Sequence, residues 1–126
     1  MKKLLLLFCI ALLSMAFTCG DDYYNDIPCT EEARAGLNVS VSLNGDSSVT
    51  FDGITVTARD GNYIEELLPV FPDTPQFAGA YERRGNYIVT VAKEGYQTYV
   101  SEYITVAHDR CHVIPQQLLV DLVPNP

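Results

Sequence analysis

The residues best equipped for chemistry in this 126-residue chain are its two histidines and four cysteines, and three of these six stand together in "HDRCH" (His108 to His112). A structural zinc ion takes about four thiolate or imidazole ligands in a tetrahedron. Cys29, His108, Cys111 and His112 supply such a set by type. The competing reading is a histidine pair at a strand end beside a disulfide, the usual state of cysteines in an oxidising compartment. Haem attachment needs C-x-x-C-H, and His108 stands where the first cysteine belongs, so that motif fails. No G-x-S-x-G elbow is present to present a serine nucleophile. Glu31-Glu32 and Glu65-Glu66 are paired carboxylates. Adjacent strand residues point to opposite faces, so neither pair converges as the acid and nucleophile of a glycosidase would. "NGDSSVTFDG" (Asn44 to Gly53) has acidic oxygens near a turn but lacks the D-x-[DN]-x-[DN]-G calcium loop, and reads as turn chemistry. These residues predict no catalytic group, no metal and no cofactor.

The eight tyrosines offer binding chemistry instead, a flat apolar ring with a polar tip. Tyr23 and Tyr24 fall in an acidic stretch, and Tyr87 and Tyr96 have places in the strand pattern described below. Tyr63, Tyr81, Tyr99 and Tyr103 remain. Sharing one exposed face, they would form a platform for a glycan or a protein. Distributed over half-buried strands, they would be ordinary sheet residues.

The chain begins with Lys2 and Lys3, then an apolar run of 14 residues from Leu4 to Phe17, interrupted only by Ser14. As a helix the run would be ~21 Å long, short of the ~30 Å hydrocarbon core of a bilayer. It has the form of a secretory leader. "AFTCG" (Ala16 to Gly20) closes it and resembles the lipobox of bacterial lipoproteins, with Thr18 a less usual residue before the cut. The resemblance implies cleavage before Cys19 and acylation of Cys19 by several chains such as palmitate, and so a long-lived membrane anchor where a single chain would hold only marginally. Asp21 and Asp22, just after the cysteine, resemble the export tag of some surface lipoproteins of Gram-negative bacteria. The expected location is the cell envelope, lipid-anchored at the outer membrane, facing either the periplasm or the outer surface.

Loss of residues 1–18 removes Lys2 and Lys3 and shifts the formal charge from −8 to −10. So acidic a chain is unsuited to nucleic acid, whose phosphates require Lys and Arg. The 108 residues left suffice for one domain with a modest core. Residues 19–35 read as an acidic tether without periodicity. Residues 36–126 read as the domain, where short runs rich in Val, Ile, Thr and Tyr alternate with turn clusters. "LNVSVSL" (Leu37 to Leu43) alternates strictly, and "ITVTA" (Ile54 to Ala58) does so again. Strands are expected through Tyr63 to Leu68, Phe77 to Arg84, Tyr87 to Lys93, Thr98 to Val106 and Cys111 to Val123, the last interrupted at Pro115. "PVFPDTPQ" (Pro69 to Gln76) is a proline-rich loop or edge crossing. No stretch combines helical length with a 3.6-residue period. The pattern predicts an all-β chain folded as a single sandwich of about seven strands.

In "GNYIVTVAKEGYQT" (Gly85 to Thr98), Gly85-Asn86 reads as a tight turn. Tyr87, Val89 and Val91 should face the core, Gly95 should take positive φ, and Tyr96 should cover the end of the sandwich. The spacing G-x-Y-x-V-x-V-x-x-x-G-Y resembles the carboxypeptidase regulatory-like family, small prealbumin-like (transthyretin-like) Greek-key sandwiches. "GITVTARDG" (Gly53 to Gly61) is similar to that family's second strand and turn, and "DRCHV" (Asp109 to Val113) to a subgroup of surface lipoproteins carrying the domain. The resemblance covers residues 36–123. It implies a non-catalytic module that stiffens, spaces or binds, with an envelope protein or a glycan as partner. Cys9 would leave with the leader and Cys19 would be acylated. Cys29 and Cys111 then remain in an oxidising compartment, and one structural disulfide between them is expected.

Overall fold

The computed structural model describes residues 28–126. The expected leader, Cys19 and the tether up to Ile27 lie outside the described residues. The described chain is all-β, with no helix, and forms two sheets. Its strands are β1 (Ala35–Leu43), β2 (Thr55–Asp60), β3 (Tyr63–Glu66), β4 (Leu68–Pro69), β5 (Gln76–Tyr81), β6 (Gly85–Ala92), β7 (Tyr99–Val100), β8 (Ile104–Val106) and β9 (Gln116–Leu122). One sheet has the order β4-β5-β1-β9, and the other has the order β3-β2-β6 with β7 and β8 both paired to β6. β1 and β9 are parallel, in register from Leu37 opposite Gln116 to Leu43 opposite Leu122. The other ladders are antiparallel.

Alternation builds the core. Leu37, Val39 and Val41 of β1 are buried, as are Val120 and Leu122 of β9 and Phe77 of β5. From the second sheet, Val56 and Ala58 of β2, Tyr87, Val89 and Val91 of β6 and Val106 of β8 meet them. In β1, β2, β6 and β9 these side chains are every second residue of the strand, so the period of two expected from the sequence is the period that buries them, whereas β5 is buried from Phe77 through Ala80. Asn44 and Gly45 both take positive φ in the turn after β1, the conformation that an Asn-Gly pair favours. Gly95 has φ +85°, and Tyr96 packs against the edge of the core.

Nine strands replace the expected seven because two runs divide. The run from Tyr63 to Leu68 changes sheets: β3 pairs with β2, and β4 pairs with β5 in the other sheet. Leu67 makes the crossing, its side chain buried and its amide donating to the Val56 carbonyl at 2.8 Å. Pro69 then lies in the edge strand β4, where a missing amide costs no ladder bond. The run from Thr98 to Val106 divides into β7 and β8, which follow one another along the same edge of β6. Between them Ser101, Glu102 and Tyr103 lie opposite only Ile88 and Val89. This extra residue makes a bulge. Buried Ser101 stabilises it, its amide donating to the Val89 carbonyl at 2.9 Å and its hydroxyl accepting from the Val89 amide at 2.8 Å.

Three further boundaries differ from expectation. The tight turn is not at Gly85-Asn86. Ala80 and Glu82 carry the positive φ values, and Gly85 already belongs to β6. Gly85 is small for another reason: a Cβ there would lie 2.5 Å from Asp60 Oδ2. Cys111 does not open the last strand, which starts at Gln116 after Pro115. The first strand begins at Ala35, one residue before the expected domain boundary.

Candidate functional site

Two clusters of polar side chains sit at the margins of the sandwich. The first joins the described part of the tether, residues 28–34, to the loop before β9. Cys29 and Cys111 form a disulfide with a Cα separation of 5.3 Å across 82 residues of sequence. The two sulfurs are therefore bonded to one another, and the four-ligand zinc set is two ligands short. His112, buried next to this bridge, has both ring nitrogens engaged. Its Nδ1 lies 2.7 Å from Glu82 Oε1 and its Nε2 lies 2.8 Å from Thr30 Oγ1. An ionised carboxylate only accepts, so Nδ1 carries a proton and donates to Glu82. In the neutral ring, Nε2 accepts from the Thr30 hydroxyl. His108 is exposed and pairs with Val113 through an isolated bridge.

Glu82–His112–Thr30 is thus a relay of carboxylate, imidazole and hydroxyl. The same order of groups serves nucleophilic catalysis when amide donors stand ready for an oxyanion. Here four amides of the cluster are already engaged within it. Arg34 N and Val113 N donate to Glu82 at 2.8 and 3.2 Å, and Cys111 N and His112 N donate to Asp109 Oδ1 at 2.8 and 2.9 Å. The cluster spends its hydrogen bonds on joining three chain segments, with Glu82 as the common acceptor.

The amide of Arg34 is the main reason the Glu82 carboxyl titrates below its usual range, with His112 and Val113 assisting against partial burial. The amides of His112 and Cys111 lower Asp109 likewise. Unfolded carboxyls titrate near pH 4. A depressed folded value means stability that is present above the unfolded value and lost as pH falls through the folded one. Unfolding by urea, followed by circular dichroism, should show the midpoint falling as pH drops below about 4.5. Glu82→Gln is expected to lower the midpoint at neutral pH and to make the acid-induced fall shallower. An unchanged acid profile in Glu82→Gln would remove Glu82 from the linkage.

The second cluster lies where β2, β3 and β6 meet. The Arg83 guanidinium sits 3.7 Å from the centroid of the Tyr63 ring. Its Nη1 donates to Asp60 Oδ2 at 2.9 Å and to Tyr87 Oη at 2.8 Å, while the Tyr87 hydroxyl donates to the Arg83 carbonyl at 2.9 Å. Loss of solvent pushes the Tyr87 hydroxyl above its usual pKa, so it stays protonated and able to donate. Asp60 also faces an open cleft of about 490 Å³, lined in addition by Gly61, Asn86 and Tyr103.

The four candidate tyrosines are placed differently. Tyr63 lies on β3 under Arg83. Tyr81 ends β5 in the opposite sheet and is exposed. Tyr99 on β7 packs against the core. Tyr103 follows the bulge, is 72% exposed and lines the cleft. Sequence reasoning missed Glu82, Arg83, Asp60 and Asn86. Each stands at a strand end or in a turn, where no spacing marks it for this role, and most of the partners lie far along the chain. Among the described residues, no group of three or more His, Cys, Asp or Glu side chains is arranged to hold a metal ion. No helix among them is long and apolar enough to cross a membrane. Neither the protein-family models nor the curated proteins compared with the chain match it.

Proposed function

We propose that this protein is a lipid-anchored module of the bacterial cell envelope, a non-catalytic β-sandwich that serves as a structural or interaction element at the outer membrane. The observation that carries this reading is the fastening of residues 28–34 to the domain. The disulfide, the Thr30–His112 bond and the Arg34–Glu82 bond all act within this short segment. An anchor at Cys19 would lie ten residue steps before Cys29, a reach of at most ~35 Å. Chemistry-capable cysteine and histidine side chains are committed to that junction. The acidic chain would remain hydrated beside the membrane.

The carboxypeptidase regulatory-like resemblance, with its Greek-key connection, belongs to this proposal. It is supported by β6, where Tyr87, Val89 and Val91 point inward, and by the turn at Gly95-Tyr96. Metabolic labelling with an alkyne fatty acid tests the anchor. Label is expected on the wild-type protein and is expected to disappear in Cys19→Ala. Label that persists in that variant would sink the anchoring reading.

A second reading, recognition of a glycan or small ligand, draws support from the exposure of Tyr103 beside the cleft and of Val70 and Phe71 in the proline-rich loop.

A further inference from the structure

We propose that the cleft lined by Asp60, Gly61, Asn86 and Tyr103 is a binding site for a neutral saccharide. This deepens the ligand-binding reading and rests on it, while the anchored-module reading stands without it. A pyranose presents an apolar C–H face and a rim of adjacent hydroxyls. Its site therefore needs a flat ring beside planar groups that accept from and donate to vicinal hydroxyls.

Each part is present and held in place. Tyr103 leaves 72% of its surface exposed. It is carried two residues beyond Ser101, whose hydroxyl and amide fix the bulge to Val89. The ring is thereby offered from ordered backbone, which reduces the ordering cost of binding. Asn86 Oδ1 accepts from Thr105 Oγ1 at 2.7 Å, which orients the amide and leaves its NH₂ to donate to a sugar hydroxyl. Asp60 Oδ2 is taken by Arg83 at 2.9 Å, leaving Oδ1 to accept from a hydroxyl. Gly61 has φ +58° and no heavy atom near its absent Cβ, so the cleft floor is open beside these groups. The volume, about 490 Å³, falls within the range of small-ligand sites.

Charge narrows the ligand class. An anionic sugar would meet the free Oδ1 of Asp60 in a chain of formal charge −8, while the two guanidiniums beside it are held, Arg83 on Asp60 Oδ2 and Arg59 on the Gly61 carbonyl. A free cation would compete with Arg83, which already partners Asp60. A neutral ligand avoids both costs. The open cleft and small contact area suit weak binding, with Kd on the order of 1 mM, tightened when several copies on one surface engage a polymer.

The test is calorimetric titration of the full chain, purified in mild detergent, with maltohexaose, cellohexaose and mannohexaose, and with an oligogalacturonate as the anionic comparison. At least one neutral hexasaccharide is expected to bind. Tyr103→Ala and Asn86→Ala should each weaken it tenfold or more, and Tyr81→Ala on the other sheet should leave it unchanged. Tyr103 is so exposed that its truncation leaves the core intact, and circular dichroism verifies this. Should Asn86→Ala fail to fold, the Tyr103 variant decides alone. Failure of every neutral sugar to bind would overturn both the proposal and the saccharide form of the reading beneath it. Binding that survives Tyr103→Ala would overturn this site while leaving that reading in place. Tighter binding of oligogalacturonate would overturn the neutral class.

Discussion

Replacing Cys29 and Cys111 together by serine is expected to lower the unfolding free energy by about 4 kcal/mol and the melting temperature by roughly 20 °C. The bridge spans 82 residues, most of the described chain. In the chain-entropy model, a loop of that length removes about 4 kcal/mol of freedom from the unfolded state. Small domains retain only about 5–15 kcal/mol in total. The loss also has a native-state component. Thr30 and Arg34 reach His112 and Glu82 from the same segment that Cys29 secures, so all three attachments weaken together. Differential scanning calorimetry of the double-serine variant against wild type, both without reductant, measures the effect. Mass spectrometry of the unreduced wild type should find no alkylatable thiol among Cys29 and Cys111. A double-serine variant that melts within a few degrees of wild type would show that the hydrogen bonds alone hold the junction.

The pairing was legible in the sequence only by counting cysteines in a chain expected to be exported, while its surroundings were not legible. Glu82 and Arg34 are 48 residues apart, Glu82 and His112 are 30 apart, and Arg83 and Asp60 are 23 apart. No local pattern encodes contacts at those separations. They follow from which strands become neighbours. Strand interiors were different. In "LNVSVSL" the alternation of apolar and polar residues is itself the physical cause of one-sided burial, and in "YIVTV" Tyr87, Val89 and Val91 share the buried face at the same period. Strand ends were less readable. Leu67 looks like one more strand residue, yet its burial between the sheets is what divides β3 from β4. Likewise, Gly85-Asn86 reads as the turn before β6, whereas Ala80 and Glu82 adopt the positive φ values there. At Glu82, the three hydrogen bonds of its carboxylate accompany a backbone conformation that a single-residue preference would disfavour. The cleft was half visible: Tyr103 was a candidate by type, but its exposure depends on a bulge created by one surplus residue after Val100.

Truncating Tyr87 to alanine is expected to cost about 3–5 kcal/mol, the range for removing a buried aromatic ring. Tyr87 is fully buried, and its ring fills the core between the two sheets while its hydroxyl emerges beneath Arg83. The variant therefore opens a ring-sized cavity and deprives Arg83 of a partner. Tyr87→Phe separates these two effects. It keeps the ring and removes only the hydroxyl, which both donates to the Arg83 carbonyl and accepts from its guanidinium. A hydrogen bond to a charged group contributes about 1.5–3 kcal/mol. Arg83 also retains Asp60 and the Tyr63 ring and is partly open to water, so the cost should fall near the lower end, about 1.5 kcal/mol. Urea unfolding of wild type, Tyr87→Phe and Tyr87→Ala under one set of conditions gives the comparison. Equal losses in the two variants would mean that the hydroxyl, rather than the ring, carries Tyr87's contribution. The expected order, with alanine costing at least twice as much as phenylalanine, places most of it in the core. The smaller part then lies in the polar cap that orients Asp60 at the cleft, so Tyr87→Phe should also weaken saccharide binding, by less than Asn86→Ala does.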